Sequence, residues 1–101
     1  MKTIRVYKMI SGEEVLGMQV EENDSTYTIE NPASIMMQQQ PDGRVGVGLA
    51  PFMPYASEKT VIVNKMAVCA SANPATEMQN EYNRIFGSGI QIVGAGAIKG
   101  M

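Results

Sequence analysis

The sequence predicts a mostly β protein, in which a small and strongly bent antiparallel meander of the kind found in β-barrels precedes a C-terminal α-helix. Three observations lead to this prediction. Residues 4–29 consist of two or three short segments, and along residues 14–22 apolar and polar side chains alternate with a period of two, which is typical of a half-buried strand. Tight polar turns at residues 11–13 and 22–25 separate these segments. After residue 73 the apolar spacing changes to that of a helix.

The first two strands are predicted at residues 2–10 and 14–22, with a turn around Gly12 between them. In the second strand, Leu16, Met18 and Val20 are apolar, whereas Gly17, Gln19 and Glu21 are not. Gly17 lies between Leu16 and Met18, where a strand bends sharply or another backbone comes close. This pair of strands is expected to begin the barrel.

A third, long strand is predicted from residue 26 to about residue 39, after the polar loop 23–25. Tyr27 and Ile29 are expected on one face, together with Ile35 further along. Pro32 interrupts the strand, so the ladder should break or bulge there. The Pro-Asp-Gly turn at residues 41–43 then leads into a strand at residues 44–49.

The segment 50–56 contains two prolines and the aromatic residues Phe52 and Tyr55, and it is interpreted either as a packed loop or as a subunit contact. Strands are predicted at residues 59–63 and 66–70, with a tight turn or bulge at Asn64 and Lys65. The single cysteine, Cys69, lies in an apolar run and is expected to be a small core side chain.

A helix is predicted over residues 74–86, with Asn73 as its N-cap and an apolar stripe that docks on the barrel. The expected organisation is therefore a barrel at residues 1–72, a packed helix at 73–87 and a tail at 88–101. The tail is either one more paired edge strand or a disordered terminus.

Composition excludes several function classes. The 101 residues carry 8 basic and 10 acidic side chains, so no global positive field draws in nucleic acid. There is no histidine, which removes His-dependent nucleophiles and the commonest zinc ligand. We therefore expect no enzyme activity, no metal or cofactor and no membrane association, and a cytoplasmic location.

Four segments carry a resemblance to a known family: SGEEVLG, PFMPYA, NKMAVCA and NEYNRIFGSGI. With the strand order, they make the chain similar to Sm-like (LSm) proteins, in particular to the small type found in phage and cyanophage genomes. The resemblance covers roughly residues 4–92. It implies a five-stranded barrel that closes into a homo-oligomeric ring, from a pentamer to a heptamer.

Ring closure would cover the unpaired edges that such a barrel leaves. The expected subunit contacts come from the late strands and the proline-rich segment, namely Val61, Val63, Met66, Val68, Phe52 and Tyr55.

Sm-like rings bind single-stranded RNA at the inner rim, between two loops. The matching positions here are Asp24, Tyr27, Asn64 and Lys65. The chain departs from the family pattern at Asn64-Lys65, where an Arg-Gly pair is expected, so a point charge replaces the forked guanidinium. Tyr27 either stacks a base or is a core tyrosine.

Two functions stay open at this point. One is an RNA-binding ring, in the host cytoplasm if the protein is encoded by a phage. The other is a structural or adaptor protein that holds phage or host proteins without RNA. The carboxylates Glu13, Glu14, Glu21, Glu22 and Asp24 favour the second if they repel phosphate, although they are also consistent with a solvated face.

Overall fold

A computed structural model of the protein describes residues 2–86, which form one antiparallel sheet and one α-helix. The predicted fold class is confirmed: the chain is mostly β, and its helix follows the strands. The elements are β1 (Thr3–Met9), β2 (Glu14–Glu22), β3 (Thr26–Gln39), β4 (Val45–Pro51), β5 (Thr60–Asn64), a 3-10 helix (Lys65–Ala67), β6 (Val68–Ala72) and α1 (Thr76–Phe86).

The sheet has the strand order β4-β3-β2-β1-β6, and β5 also pairs with β3. β3 accommodates both partners on the edge opposite β2, because residues 26–30 pair with β5 and residues 33–39 pair with β4. The sheet therefore has six strands where the resemblance implied five. The additional strand is β4, which with the outer half of β3 forms a two-stranded arm at residues 35–49.

A β-bulge at Asn31 and Pro32 divides β3 into these two halves, as the proline predicted. Leu16 pairs with Ala33 and Met18 pairs with Glu30, so β3 has one more residue than β2 in this interval. Asn31 takes up the irregularity with a left-handed φ of 49°, and its N–H donates to the Lys59 carbonyl oxygen at 2.7 Å.

The bulge reverses the alternation along β3. Tyr27 and Ile29 pack in one apolar cluster, whereas Ile35 packs in the other, on the opposite face. The prediction that all three share a face was wrong, because a period of two holds only where no residue is inserted.

The sheet buries an apolar cluster on each face. The barrel core consists of Tyr7, Met9, Val15, Ile29 and Val63, and residues from both β5 and β6 pack against it, so the sheet curls around it. The second cluster contains Ile4, Leu16 and Tyr82, and α1 covers it. Tyr82 is only 2% exposed, and its hydroxyl donates to the Glu30 carbonyl oxygen at 2.6 Å.

Three predictions late in the chain were wrong in detail. The last strand begins at Val68, since a 3-10 helix occupies Lys65–Ala67. Cys69 is exposed, because β6 lies at the edge of the sheet. The helix begins at Thr76 and Asn73 does not cap it: the Asn73 Oδ1 accepts a hydrogen bond from Arg5 Nη1 at 2.7 Å. The predicted tail and helix end beyond residue 86 lie outside the described residues.

Candidate nucleic-acid interface at the loop end of the barrel

The β2–β3 loop is held in shape by one side chain. Asn23 Oδ1 accepts hydrogen bonds from the backbone N–H groups of Ser25, at 2.9 Å, and Thr26, at 2.8 Å. This is the local bonding of an Asx turn, which asparagine favours because its side chain imitates a backbone carbonyl. Asp24 lies exposed at the tip of this loop.

The segment after β5 lies against that loop. The Lys65 N–H donates to the Ser25 carbonyl oxygen at 2.8 Å, and the Asn64 Oδ1 accepts from the Met66 N–H at 2.8 Å, capping the 3-10 helix. The structure thus brings the four predicted RNA-site positions to one end of the barrel, which we call the loop end. The Asn64 Oδ1 atom is already engaged there in the hydrogen bond that caps the 3-10 helix.

Tyr27 contacts both the barrel core and the Lys65 side chain. Its ring packs against the barrel core and lies 5.1 Å from the Tyr7 ring, centroid to centroid, at an interplanar angle of 50°. The Lys65 Nζ lies 5.0 Å from the Tyr27 ring centroid, a cation–π distance. The ring is half-buried, so it is part of the core and still borders the surface.

Glu22 neutralises Lys65; sequence analysis named Glu22 among the acidic residues but did not predict this pair. The Lys65 Nζ lies 2.6 Å from the Glu22 Oε2, and 43 residues separate the two in sequence. The hydrogen bond and the opposite charge hold the pKa of the Glu22 carboxyl below its usual range and raise the pKa of Lys65. A phosphate would have to compete with this carboxylate for the ammonium group.

A polar cleft of about 340 Å³ opens beside this pair, lined by Thr3, Arg5, Gln19, Glu22, Tyr27 and Ser71. One of these lining residues is held from the core, since the buried Tyr7 hydroxyl donates to Gln19 Oε1 at 2.7 Å. Burial raises the pKa of the Tyr7 hydroxyl, so it remains a neutral donor. Arg5 is the other residue that sequence analysis missed. The sequence signal for Arg5 was available: it is a charged residue on the same face of β1 as the buried Tyr7.

A family model of the Sm-like domain matches residues 6–83, which run from β1 into α1. The chain belongs to the Sm-like family. No curated protein matches it in sequence. Members of the Sm-like family in general form rings and bind RNA, so the loop end described above is the region to examine for a nucleic-acid interface.

In this Sm-like fold three strands of the described residues keep an unpaired edge: β4 on the arm, and β5 and β6 in the barrel. Among residues 2–86, β5 pairs only with β3 and β6 pairs only with β1. The side chain of Ile62, in the middle of β5, is 70% exposed. Neither α1 nor any other described element hydrogen-bonds to these edges as a strand.

The six residues expected at the subunit contact have different environments. Val63 is buried in the barrel core, and Val61, Val68 and Phe52 pack partly against it. Met66 and Tyr55 are 85% and 99% exposed. Met66 and Tyr55 are therefore the two of these six residues that expose most of their side chain. The subunit contact itself stays a prediction.

No metal or membrane-spanning feature occurs in the described part of the chain. Within residues 2–86, no group of three or more His, Cys, Asp or Glu side chains is placed to hold a metal ion. No helix in that range has the length and apolarity needed to cross a membrane.

Proposed function

We propose that this Sm-like protein is a homo-oligomeric ring that binds single-stranded RNA at the loop end of the barrel. The observation that carries the proposal is the meeting of the two loops through the Lys65–Ser25 backbone bond, which places an aromatic ring and a cation side by side. Aromatic faces stack bases and cations bind phosphates, and together they bind single strands with little sequence preference.

The open edges of β5 and β6 support the ring. Each edge presents unpaired N–H and C=O groups. β5 pairs with β3 and β6 pairs with β1, so the two edges lie on opposite sides of the β3-β2-β1 series. Pairing β5 of one subunit with β6 of the next is a head-to-tail contact, which closes when the rotation per subunit fits. Native mass spectrometry on the full chain tests this: we expect one closed species, between pentamer and heptamer. A monomer at all concentrations would refute the ring.

Binding to fluorescently labelled single-stranded RNA, followed by anisotropy at low salt, tests the ligand. Replacing Tyr27 by Leu should weaken binding by about 1–3 kcal/mol for each base that stacks, whereas Tyr27→Phe should preserve binding. Lys65→Gln should also weaken it. The matched control is Lys8→Gln, since Lys8 likewise pairs with a carboxylate, Glu14 at 3.5 Å, next to the β1–β2 turn.

A structural or adaptor role without RNA is the second candidate, and one observation favours it. The ammonium group of Lys65 is already neutralised by Glu22, and Glu21 and Asp24 lie exposed next to this pair. Glu22→Gln separates the two candidates. If RNA binds near Lys65, this variant should bind more tightly than the wild type; if neither protein binds RNA at low salt, the adaptor role is favoured.

Three further expectations belong to this proposal. The absence of histidine from the sequence supports a non-catalytic role. A cytoplasmic location is consistent with a chain that has one cysteine. The four resemblance segments support origin in the phage or cyanophage type, and genome context would test it.

A further inference from the structure

The polar cleft beside Tyr27 contains a cation that differs from Lys65 in its surroundings. Arg5 lies on β1 and is half-buried. Its Nη1 donates to Asn73 Oδ1 at 2.7 Å, and its Nη2 donates to Ser71 Oγ at 3.1 Å. Both acceptors are neutral, so these bonds fix the guanidinium without cancelling its charge.

The charges that face the cleft leave a net positive charge, which belongs to Arg5. Among the described residues, no carboxylate lies within ion-pair distance of its guanidinium. Glu22 also lines the cleft, but its carboxylate is paired with Lys65 at 2.6 Å, so the two together are close to neutral. The remaining charge in the cleft is the positive charge of Arg5.

The chemistry of the guanidinium identifies the ligand class. Arginine carries five N–H donors in a planar fork, and two of the nitrogens each give one hydrogen bond to Asn73 and Ser71 here. The remaining donors match the spacing of phosphate oxygens, which a lysine ammonium binds only as a point charge. The Tyr27 ring lines the same cleft, so an aromatic side chain and the guanidinium border one space.

We propose that this cleft is a nucleotide subsite in which Arg5 binds the phosphate of a nucleotide whose base stacks on Tyr27. Arg5 is then the forked cation of the interface, and Ser71 and Asn73 are positioning residues that aim it. This inference rests on the proposed RNA-binding function and adds to it the residue that contacts phosphate. It also assigns Lys65 chiefly to neutralising Glu22.

The first test compares variants of the intact protein for binding of a short labelled oligouridylate by anisotropy. Arg5→Ala should lose roughly tenfold in affinity, as expected for one charge-assisted contact, and Arg5→Lys should recover only part of it. The control is Arg44→Ala, because Arg44 lies at the tip of the arm and pairs with Asp42 at 2.8 Å. Circular dichroism would confirm that each variant is folded.

The outcomes separate the two proposals. If the wild type binds and Arg5→Ala binds equally well, the subsite is refuted while the RNA-binding function stands. If the wild type fails to bind any single strand at low salt, both are refuted. Asn73→Ala should weaken binding less than Arg5→Ala and should have no further effect in the Arg5→Ala background, since it acts through that guanidinium.

A second measurement uses small probes and does not depend on a variant. Uridine monophosphate and uridine would each be titrated into the labelled protein while the Arg5 Nε–H signal is followed by NMR. The monophosphate should shift this signal and the nucleoside should not, whereas both should perturb the Tyr27 ring signals. A shift of Tyr27 without any shift of Arg5 on adding the monophosphate would overturn the assignment.

Discussion

Replacement of Gly17 by alanine tests how the barrel bends. Gly17 lies in β2 opposite the bulge of β3, and a Cβ placed there would overlap the Ile29 Cγ2 atom and lie 3.3 Å from the Pro32 Cα. Ile29 is 1% exposed and belongs to the barrel core. The new methyl group must therefore displace a buried side chain, and the neighbouring backbone leaves it little room.

Two opposing terms set the magnitude. Forcing a methyl group into a packed core costs about 1–3 kcal/mol. Alanine also restricts the unfolded chain more than glycine does, which stabilises the folded state by about 0.4–1 kcal/mol. We expect a net loss of about 1–2 kcal/mol, which lowers the melting temperature by roughly 5–15 °C for a domain of this size.

The assay is urea unfolding, followed by circular dichroism at one fixed protein concentration, with Gly48→Ala as the control. Gly48 is also within a strand, but the Cβ built there meets only the Gln38 side chain, whose amide nitrogen lies 2.8 Å away and is free to move on an exposed surface. That variant should stay within about 0.5 kcal/mol of the wild type. Equal losses for the two variants would refute the steric account.

Three other predictions concern single groups. Asn31→Gly should stabilise the protein and Asn31→Val should destabilise it by about 1–2 kcal/mol in urea unfolding, because φ is left-handed there. Tyr82→Phe should lower the free energy of unfolding by about 1 kcal/mol, because it removes the hydrogen bond to the Glu30 carbonyl oxygen. Burial raises the Tyr82 pKa from 10.0 to about 12, so the stability advantage of the wild type over this variant should be lost as pH rises between those values. The stability difference between the wild type and Glu22→Gln should disappear as pH falls below 4.5, because Lys65 depresses the pKa of that carboxyl only in the folded state.

Most of the barrel could be predicted because its early strands are regular. Ile4 and Val6 belong to the cluster under α1 and Tyr7 belongs to the barrel core, which is the two-face arrangement that a period of two gives along β1. The alternation could not be carried past Asn31, because a bulge depends on a residue in a left-handed conformation that the pattern does not encode. β4 was recognised as a strand, but its place on the arm depends on that bulge.

The candidate site was predicted in part. The resemblance pointed to both loops, and the structure places them in contact through Lys65 and Ser25. It did not point to Glu22 or Arg5, whose partners lie 43 and 66 or more residues away in sequence. The Arg5 contacts require β1 to pair with β6, and the Glu22–Lys65 pair requires β3 to pair with both β2 and β5, so no local spacing could reveal them.

The charge balance of the chain decides what kind of RNA binding is open to it. A net charge of −2 supplies no long-range attraction for phosphate, so affinity must come from repeated local contacts. In the proposed ring, the Arg5 guanidinium of each subunit would provide such contacts, and a single strand that visits several subunits would gain from their effective concentration. The salt dependence should then grow by about 0.7 per phosphate held, and Arg5→Ala should remove one such increment for every subunit that the strand occupies. A slope that did not change with strand length would mean that the subunits do not act together.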